Sequence, residues 1–226
     1  EGEWIDPQQV RMILDQAGLE KWNLHEEIPD EHTLRDSLLS NLQTGAENAP
    51  LVIPIDQHFN VKGVGLVAIG YVQAGTVSKH DEIHVLPAQE NGIARSLQVM
   101  DDDVEQSIAG DRVGVALRNL REEALHRGCI LTHIDADALT RHNHSTFMLQ
   151  RAPFQKRELS KGDIVHAAVD LQFQVGRIVG IDGDNFTVEW EQPLWIQTRD
   201  SAPVIIAQLD AENMRIMGVA HSIAPA

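Results

Sequence analysis

The chain has 226 residues and a formal net charge of −16, with 42% hydrophobic and 23% charged residues. This composition is typical of a folded protein, no apolar run approaches the roughly 20 residues of a membrane-spanning helix, and no secretion signal is recognisable. A single cysteine excludes an intramolecular disulfide, so we expect a cytoplasmic protein, and the acidity weakens, without excluding, a role in binding nucleic acid.

The first part of the chain predicts a helix, a short strand and a second helix. The first helix is expected over residues 7–22, with Asp6 as its N-cap, Pro7 in its first turn and Gly18 at a C-terminal cap. The run from Lys21 to Leu24 is the candidate strand.

A second helix is expected from Pro29 to Leu42, because Leu34, Leu38, Leu39 and Leu42 fall on one helical face. Residues 45–50 read as a linker. An independent helical hairpin is the alternative interpretation of this amino-terminal segment.

Residues 50–134 alternate apolar and polar positions along short runs, and glycine stands at nearly every turn. Regularly spaced short strands with turn signals predict a small antiparallel barrel. The candidate strand positions are Val61, Leu66, Ile69, Val72, Val77, Ile83 and Val85, with Gly63, Gly65, Gly70 and Gly75 between them.

A polar connector is expected over residues 135–144, and the strand pattern resumes at Ser145. Turn signals at 161–163, 182–184 and 200–203 separate the later strands. The candidate runs are Phe147–Leu149, Ile164–Val169, Leu171–Val179, Asn185–Trp190, Leu194–Gln197, Val204–Leu209 and Met214–Ala220. We therefore predict a mainly β chain in which two consecutive small antiparallel β-barrels, residues 49–135 and 143–226, follow a short α/β (helix–strand–helix) segment over residues 1–46.

Three stretches of the first barrel carry a resemblance to a known family. They read D-Q-H-F-N-V-K-G-V-G, S-L-Q-V-M-D-D-D and A-G-D-R-V-G-V-A-L-R-N-L. This barrel resembles domain 2 of translational GTPases of the elongation factor Tu type, and it looks closer to archaeal relatives of the selenocysteine-specific elongation factor. Residues 1–46 resemble the end of a translational G domain, and the second barrel resembles domain 3 of the same factors.

The resemblance implies a translation factor whose barrels bind aminoacyl-tRNA, the ribosomal factor site, or both, with no membrane or DNA partner. It places Asp56, Gln57 and Phe59 where the terminal adenosine and its ester approach domain 2. Phe59 would pack against the base, although it could instead fill the barrel mouth, and Asp56 would accept a hydrogen bond, although it could instead cap a turn. Selenocysteine factors have an arginine where this chain has Gln57, which puts a selenocysteine pocket in doubt.

Three further positions follow from the same resemblance. Gln98 stands where the family has a glutamate that accepts a hydrogen bond from the terminal ribose. Arg112 and Arg118 are candidates to hold the terminal phosphates, and Arg118 could instead pair with Glu122 or Glu123.

The second barrel contains a basic cluster at Arg151, Lys156 and Arg157. This cluster is the natural partner for the backbone of a tRNA stem, and a solvated loop is the alternative.

Histidines and a cysteine form a second constellation at His126, Cys129 and His133, helped by His142 and His144. Zinc needs three or four such ligands to converge, and Cys129 is more often a small core residue, so we expect no metal site. Asp101, Asp102 and Asp103 lack the ligand spacing of a calcium loop and predict a solvated acidic turn.

A phosphate-binding loop of the form G-x-x-x-x-G-K-[ST] does not occur in the chain, and neither does an Asn-Lys-x-Asp motif or a nucleophile elbow. We expect no catalytic residue and no cofactor in this chain, with GTP and magnesium relevant only if a G domain lies upstream. The chain begins with Glu1 rather than methionine, which is compatible with a fragment of an active GTPase. The other alternative is a regulatory factor without a G domain that occupies the ribosome and does not bind tRNA.

Overall fold

The computed structural model describes residues 5–16, 19, 21–25, 27–40, 46–153, 155–198, 203–212 and 214–226. The chain divides into two compact units, residues 1–43 and 44–226. Among the described residues no helix is long and apolar enough to cross a membrane, since the two α-helices have ten residues each.

The first unit contains α1 (Pro7–Gln16) and α2 (Glu31–Ser40). Asp6 accepts a hydrogen bond from the Gln8 amide at 2.9 Å, which confirms the predicted N-cap of α1. Asp30 caps α2 by accepting from the amides of His32 and Thr33, both at 3.1 Å, so this helix begins two residues later than predicted.

The strand predicted from Lys21 to Leu24 is wrong. Lys21 lies in a turn, Trp22 in a bend, and the next residues have no regular structure. The Trp22 amide donates to the Leu19 carbonyl at 3.0 Å, so the chain turns where a longer first helix was expected. The predicted cap at Gly18 and the end of the second helix at Leu42 lie outside the described residues.

The first barrel is built from nine short strands. They are β1 (Ile53–Val61), β2 (Gly65–Tyr71), β3 (Thr76–Ser78), β4 (Glu82–Leu86), β5 (Glu90–Val99), β6 (Asp102–Val104), β7 (Gln106–Ile108), β8 (Arg112–Arg118) and β9 (Ile130–His133). Six of them form an antiparallel ring in the order β4, β9, β1, β2, β8, β5, which closes because β5 pairs with β4. Strand β6 pairs with β5 outside the ring, and β3 pairs with β7 as a separate two-stranded sheet.

Alternation along these strands directs one set of side chains into the barrel and the other outward. In β2, Leu66, Ala68 and Gly70 are buried, whereas Val67 and Ile69 are only half-buried. A Cβ at Gly70 would lie 2.3 Å from the Pro54 carbonyl oxygen, so this close approach of β1 and β2 requires glycine. The predicted barrel and its glycine corners are therefore confirmed.

The acidic run is not a single turn. Met100 and Asp101 make the turn with positive φ, and Asp102 and Asp103 belong to β6, paired with the end of β5.

The second barrel has six strands. They are β10 (Leu139–Arg151), β11 (Ile164–Val169), β12 (Gln172–Asp182), β13 (Asn185–Gln197), β14 (Val204–Ala207) and β15 (Ile216–Pro225). The ring runs β10, β13, β12, β11, β14, β15 and closes through β15 and β10. The fold class predicted for the two barrels is confirmed.

The polar connector predicted over 135–144 is shorter than expected. β10 begins at Leu139, because Leu139 to His142 pair with the last residues of β13. This part of the strand buries His142, which is 2% exposed, and its polar composition hid the strand pattern.

Candidate nucleic-acid interface

Strand register places five of the predicted residues on one surface of the first barrel. We call the outward side chains of β1, β2, β8 and β5 the outer face. Gln57 pairs with Ile69, Ile69 with Gly114, and Gly114 with Gln98, so these four positions form a row across the face. Adjacent strands lie about 4.8 Å apart, so the row spans roughly 14 Å.

A second row lies beside the first. Phe59 pairs with Val67, Val67 with Ala116, and Ala116 with Ser96. Phe59 has 41% of its surface exposed, so it lies outside the barrel, and its predicted alternative role in filling the barrel mouth is wrong. Together the two rows put apolar side chains on β1 and β2, small residues on β8 and polar residues on β5.

Two arginines stand at opposite ends of β8 on this outer face. The Arg112 guanidinium lies 6.0 Å from the centre of the Tyr71 ring, its partner in register on β2, in a cation–π contact. Arg118 is exposed and makes no ion pair with any residue in the described part of the chain, so its predicted pairing with Glu122 or Glu123 is not found. Glu122 instead accepts from the Asn60 amide nitrogen at 2.7 Å.

Asp56 lies at the bulge between Ile55 and Gln57 and is half-buried. Its Oδ1 is 2.8 Å from Nη1 of Arg127, whose side chain is 68% exposed. The predicted acceptor at this position is therefore already engaged by a cation, and any ligand group that uses Asp56 has to share it with Arg127.

Gln98 is exposed at the end of its row and is oriented by a neighbouring carboxylate. Its Nε2 donates to Oδ1 of Asp103 at 3.0 Å across the β5–β6 pair. Because a carboxylate only accepts, the amide nitrogen must face Asp103, and Oε1 remains available as an acceptor.

The two arginines of the basic cluster in the second barrel are paired with carboxylates of the same barrel. Arg151 contacts Oε1 of Glu158 at 3.2 Å and the carbonyl of Arg157, and Arg157 contacts Oδ2 of Asp210 at 2.9 Å. The hydrogen bond from Arg157 holds the pKa of Asp210 below its usual value. Among the described residues Lys156 is the member of the cluster that makes no ion pair.

The histidine and cysteine constellation does not converge. Cys129 is buried inside the first barrel, and desolvation raises the pKa of its thiol to about 11. His133 bonds to Asp81 at 3.0 Å, and the buried His142 bonds to Ser145 Oγ at 3.0 Å. In the described part of the chain no group of three or more His, Cys, Asp or Glu side chains could hold a metal ion.

Sequence reasoning missed three contributors to the outer face. Tyr71 contacts Arg112, Asp103 orients Gln98, and Arg95, at a bulge in β5, donates from Nη1 to the Val64 carbonyl at 2.9 Å at the tip of the β1–β2 hairpin. The alternation of side chains along β2, in register with β8, could have indicated that Tyr71 faces outward beside Arg112. The bulge at Arg95 breaks the alternation and leaves no such signal.

Comparison with known proteins supports this description. Residues 65–132 match the family model of elongation factor Tu domain 2. The chain is 30% identical over 171 residues to an uncharacterized protein of Methanocaldococcus jannaschii, which covers 76% of this chain and 54% of the relative. It is 43% identical over 88 residues to the selenocysteine-specific elongation factor of the same organism, covering 39% of this chain and 19% of that factor.

Solved structures of translation elongation factor SelB from Methanococcus maripaludis share the fold. The apo form matches with a TM-score of 0.76 and 23% identity, covering 100% of this chain and 56% of that one. The form bound to the GTP analogue GppNHp matches with a TM-score of 0.79 and 24% identity, covering 96% of this chain and 55% of that one. The chain thus spans about half the length of these SelB structures and of the uncharacterized relative. Residues 65–132 are therefore similar to elongation factor Tu domain 2, and the two barrels share the fold of the corresponding part of the SelB structures.

Proposed function

We propose that the outer face of the first barrel binds the aminoacylated 3′ end of a tRNA, as part of an elongation-factor-like protein. The observation that carries this proposal is the common orientation of Gln57, Phe59, Gln98, Arg112 and Arg118 toward solvent on one four-stranded surface.

The chemistry of that surface suits a terminal nucleotide. The exposed ring of Phe59 offers a base a stacking partner, worth about 1–3 kcal/mol, and the small residues Gly114 and Ala116 leave room on β8, on the far side of β2. Gln98 Oε1, directed away from Asp103, can accept from a ribose hydroxyl. Such a bond between neutral groups is worth about 1 kcal/mol.

The charged residues of the outer face would contact two different parts of the ligand, its phosphates and its ester. Arg118, which has no ion pair among the described residues, and Arg112, which has only the Tyr71 ring, would contact phosphates. Asp56 with its Arg127 partner, together with Gln57, would lie near the ester, where the ion pair leaves little net charge. Lys156 would add a contact to the tRNA stem, with smaller contributions from the paired Arg151 and Arg157.

The test is a binding measurement with fluorescently labelled aminoacyl-tRNA and the same tRNA deacylated. We expect a dissociation constant of about 1 μM or tighter for the charged tRNA and weaker binding of the uncharged one. Phe59→Ala and Arg112→Ala should each weaken binding by more than about twofold. Equal affinity for the two tRNAs, or no effect of either substitution, would exclude the site.

A second candidate function is binding to the ribosomal factor site without tRNA. The net charge of −16 and the internal pairing of Arg151 and Arg157 favour it, because both reduce attraction to a tRNA stem. Sedimentation with purified ribosomes in the absence of tRNA separates the two: co-sedimentation without tRNA affinity supports the second function.

GTP hydrolysis by a longer protein that includes these barrels is a separate proposal. A GTPase assay of the full-length gene product, with and without ribosomes, tests it.

A further inference from the structure

A cavity of about 370 Å³ opens at one end of the second barrel, and all of the described residues that line it belong to that barrel. Its walls come from β10, from β15, from the hairpin between β12 and β13, and from the connection between β10 and β11. Small-molecule pockets have volumes of about 300–1,000 Å³, and the mouth of a β-barrel is a common place for them. We call this space the end cavity.

Strand register shows that the end cavity reaches the inner face of the barrel. Ile181 pairs with Phe186 across the β12–β13 hairpin, so the two side chains lie on the same face of the sheet. Phe186 is 9% exposed and belongs to the core, so this face is the inner one. Ile181 nevertheless has 41% of its surface exposed. Inward side chains normally fill a small barrel, so an exposed inward isoleucine means that the apolar interior is open to solvent here.

Strand β10 forms a second wall of the end cavity. Phe147, Leu149 and Arg151 are spaced two residues apart and share the inner face. Phe147 stacks on Phe186 with ring centres 6.1 Å apart, and Leu149 is buried. Arg151 is the last residue of the strand, and its Nη1 contacts Oε1 of Glu158 at 3.2 Å. The end cavity therefore has an apolar interior and a charged edge.

The charges at this edge do not cancel. The guanidinium of Arg151 is engaged by Glu158 and by the Arg157 carbonyl. Asp184, in the hairpin turn, is exposed and makes no ion pair with any residue in the described part of the chain. Two carboxylates and one cation leave an excess of negative charge, in a protein with a net charge of −16. An apolar guest with a positive group is therefore attracted, whereas a carboxylate would be repelled by Asp184 and would compete with Glu158.

We propose that the end cavity is a binding site for a small organic amine. The apolar body of the amine contacts Ile181 and Phe186, and its ammonium group is attracted by Asp184. These three residues belong to the β12–β13 hairpin of the second barrel, so the site is independent of the outer face and of the function proposed for that face.

The experiment is methyl NMR of the whole chain, labelled at isoleucine and leucine. The titrants are phenethylammonium chloride, the neutral phenethyl alcohol and sodium phenylpropionate, all at constant ionic strength. Ile181 and Leu159 line the end cavity, so their methyl resonances should shift and saturate, with a dissociation constant of about 1 mM or tighter for the amine. The alcohol should bind at least about threefold more weakly, and phenylpropionate more weakly still. Ile205 of β14 is 38% exposed and lies outside the cavity, so it is a matched control and should not move.

Two substitutions separate the charge from the apolar interior. Asp184→Asn should weaken binding of the amine by about threefold and leave binding of the alcohol unchanged, whereas Glu191→Gln, on β13 outside the cavity, should change neither. Ile181→Trp should fill the opening and weaken binding of the amine by at least about tenfold, measured at the Leu159 methyl groups. Ile205→Trp is its control and should have no effect, and thermal denaturation checks that every variant folds.

Three results would overturn the proposal. No saturable shift up to about 20 mM amine, or equal shifts at Ile181 and Ile205, would show that the end cavity does not bind it. Equal affinity for the amine and the alcohol would assign the cavity to an uncharged guest. Tighter binding of phenylpropionate would assign it to an anion held by Arg151.

Discussion

The two groups of residues predicted to meet RNA differ in how the fold uses their charges. On the outer face of the first barrel, Arg112 and Arg118 are separated by the length of β8 and make no ion pair with any described residue. In the second barrel, Arg151 and Arg157 are close in sequence and are paired with Glu158 and Asp210. A dense basic run in the sequence is therefore less available to a polyanion than two arginines that strand register sets apart.

The second group has a structural role in its own barrel. Gln155 donates from Nε2 to the carbonyls of Met214 and Ile216, both at 2.9 Å, and accepts from the Arg157 amide at 2.9 Å. The ion pair between Arg157 and Asp210 links the same two segments of the chain. These contacts fasten the segment after β10 to the segment that leads into β15.

The largest expected effect comes from filling the centre of the outer face. Gly114 has ordinary backbone geometry, and a Cβ there would meet nothing closer than the Gln98 carbonyl oxygen at 3.9 Å. Gly114→Leu should therefore fold and should reduce affinity for aminoacyl-tRNA by about a hundredfold or more, because the side chain fills the middle of the outer face between Ile69 and Gln98.

The matched control is Gly180→Leu in β12 of the second barrel, where a Cβ makes an ordinary contact of 3.4 Å with Thr187. Equilibrium binding and thermal denaturation of both variants check the prediction. Equal loss of affinity in the two variants would remove the distinction between the barrels.

The next effect is the loss of the exposed ring on the outer face. Phe59→Ala should weaken binding of aminoacyl-tRNA by about fivefold to a hundredfold, corresponding to one stacked base. Phe173→Ala, which removes a ring that is 51% exposed on the second barrel, should change the affinity less than about twofold. An equal effect of both would show that stacking is not confined to the outer face.

Replacing arginines compares the two groups directly. Arg118→Ala should weaken binding by about three- to tenfold and reduce the slope of log affinity against log salt by about one, as expected for a lost phosphate contact. Arg157→Ala should change affinity by about twofold or less, because its guanidinium is engaged by Asp210. Titrations at several salt concentrations measure both, and a larger slope change for Arg157→Ala would reverse the assignment.

The smallest expected effect is a gain. Glu158→Gln with Asp210→Asn removes both carboxylate partners and should strengthen tRNA binding by about two- to fourfold at low salt, with the gain lost near 0.5 M salt. The matched control is Glu105→Gln, which releases Lys79 elsewhere. No gain in the double variant would mean that the cluster does not face the ligand.

Much of the fold was predictable because both barrels follow local rules. Alternating apolar positions and glycine corners identified the strands, and β11 has the predicted bounds from Ile164 to Val169. The prediction of a strand from Lys21 was wrong because this short run of mixed polar and apolar residues has no neighbouring strand in the sequence with which to pair. The start of β10 was predicted too late because the polar residues there pair with β13.

The candidate site was predicted less completely. Phe59, Gln98 and Arg118 could be named from the sequence, but their common face depends on the registers of three strand pairs and on two bulges. The partners Arg127 and Asp103 are set by side-chain geometry, and no spacing rule indicates that Arg127 reaches Asp56.

The contact between the barrels has a consequence for how the protein melts. Gln197 donates to Gln73 across the junction and to Asp170 within its own barrel, and a Cβ at Gly128 would lie 2.5 Å from the Leu171 carbonyl oxygen of the second barrel. Apolar side chains from both barrels cover each other beside these contacts, so separating the barrels would expose surface that neither can hide alone. Residues 46–226 should accordingly unfold in one cooperative transition, with a single calorimetric peak whose enthalpy matches the van't Hoff value.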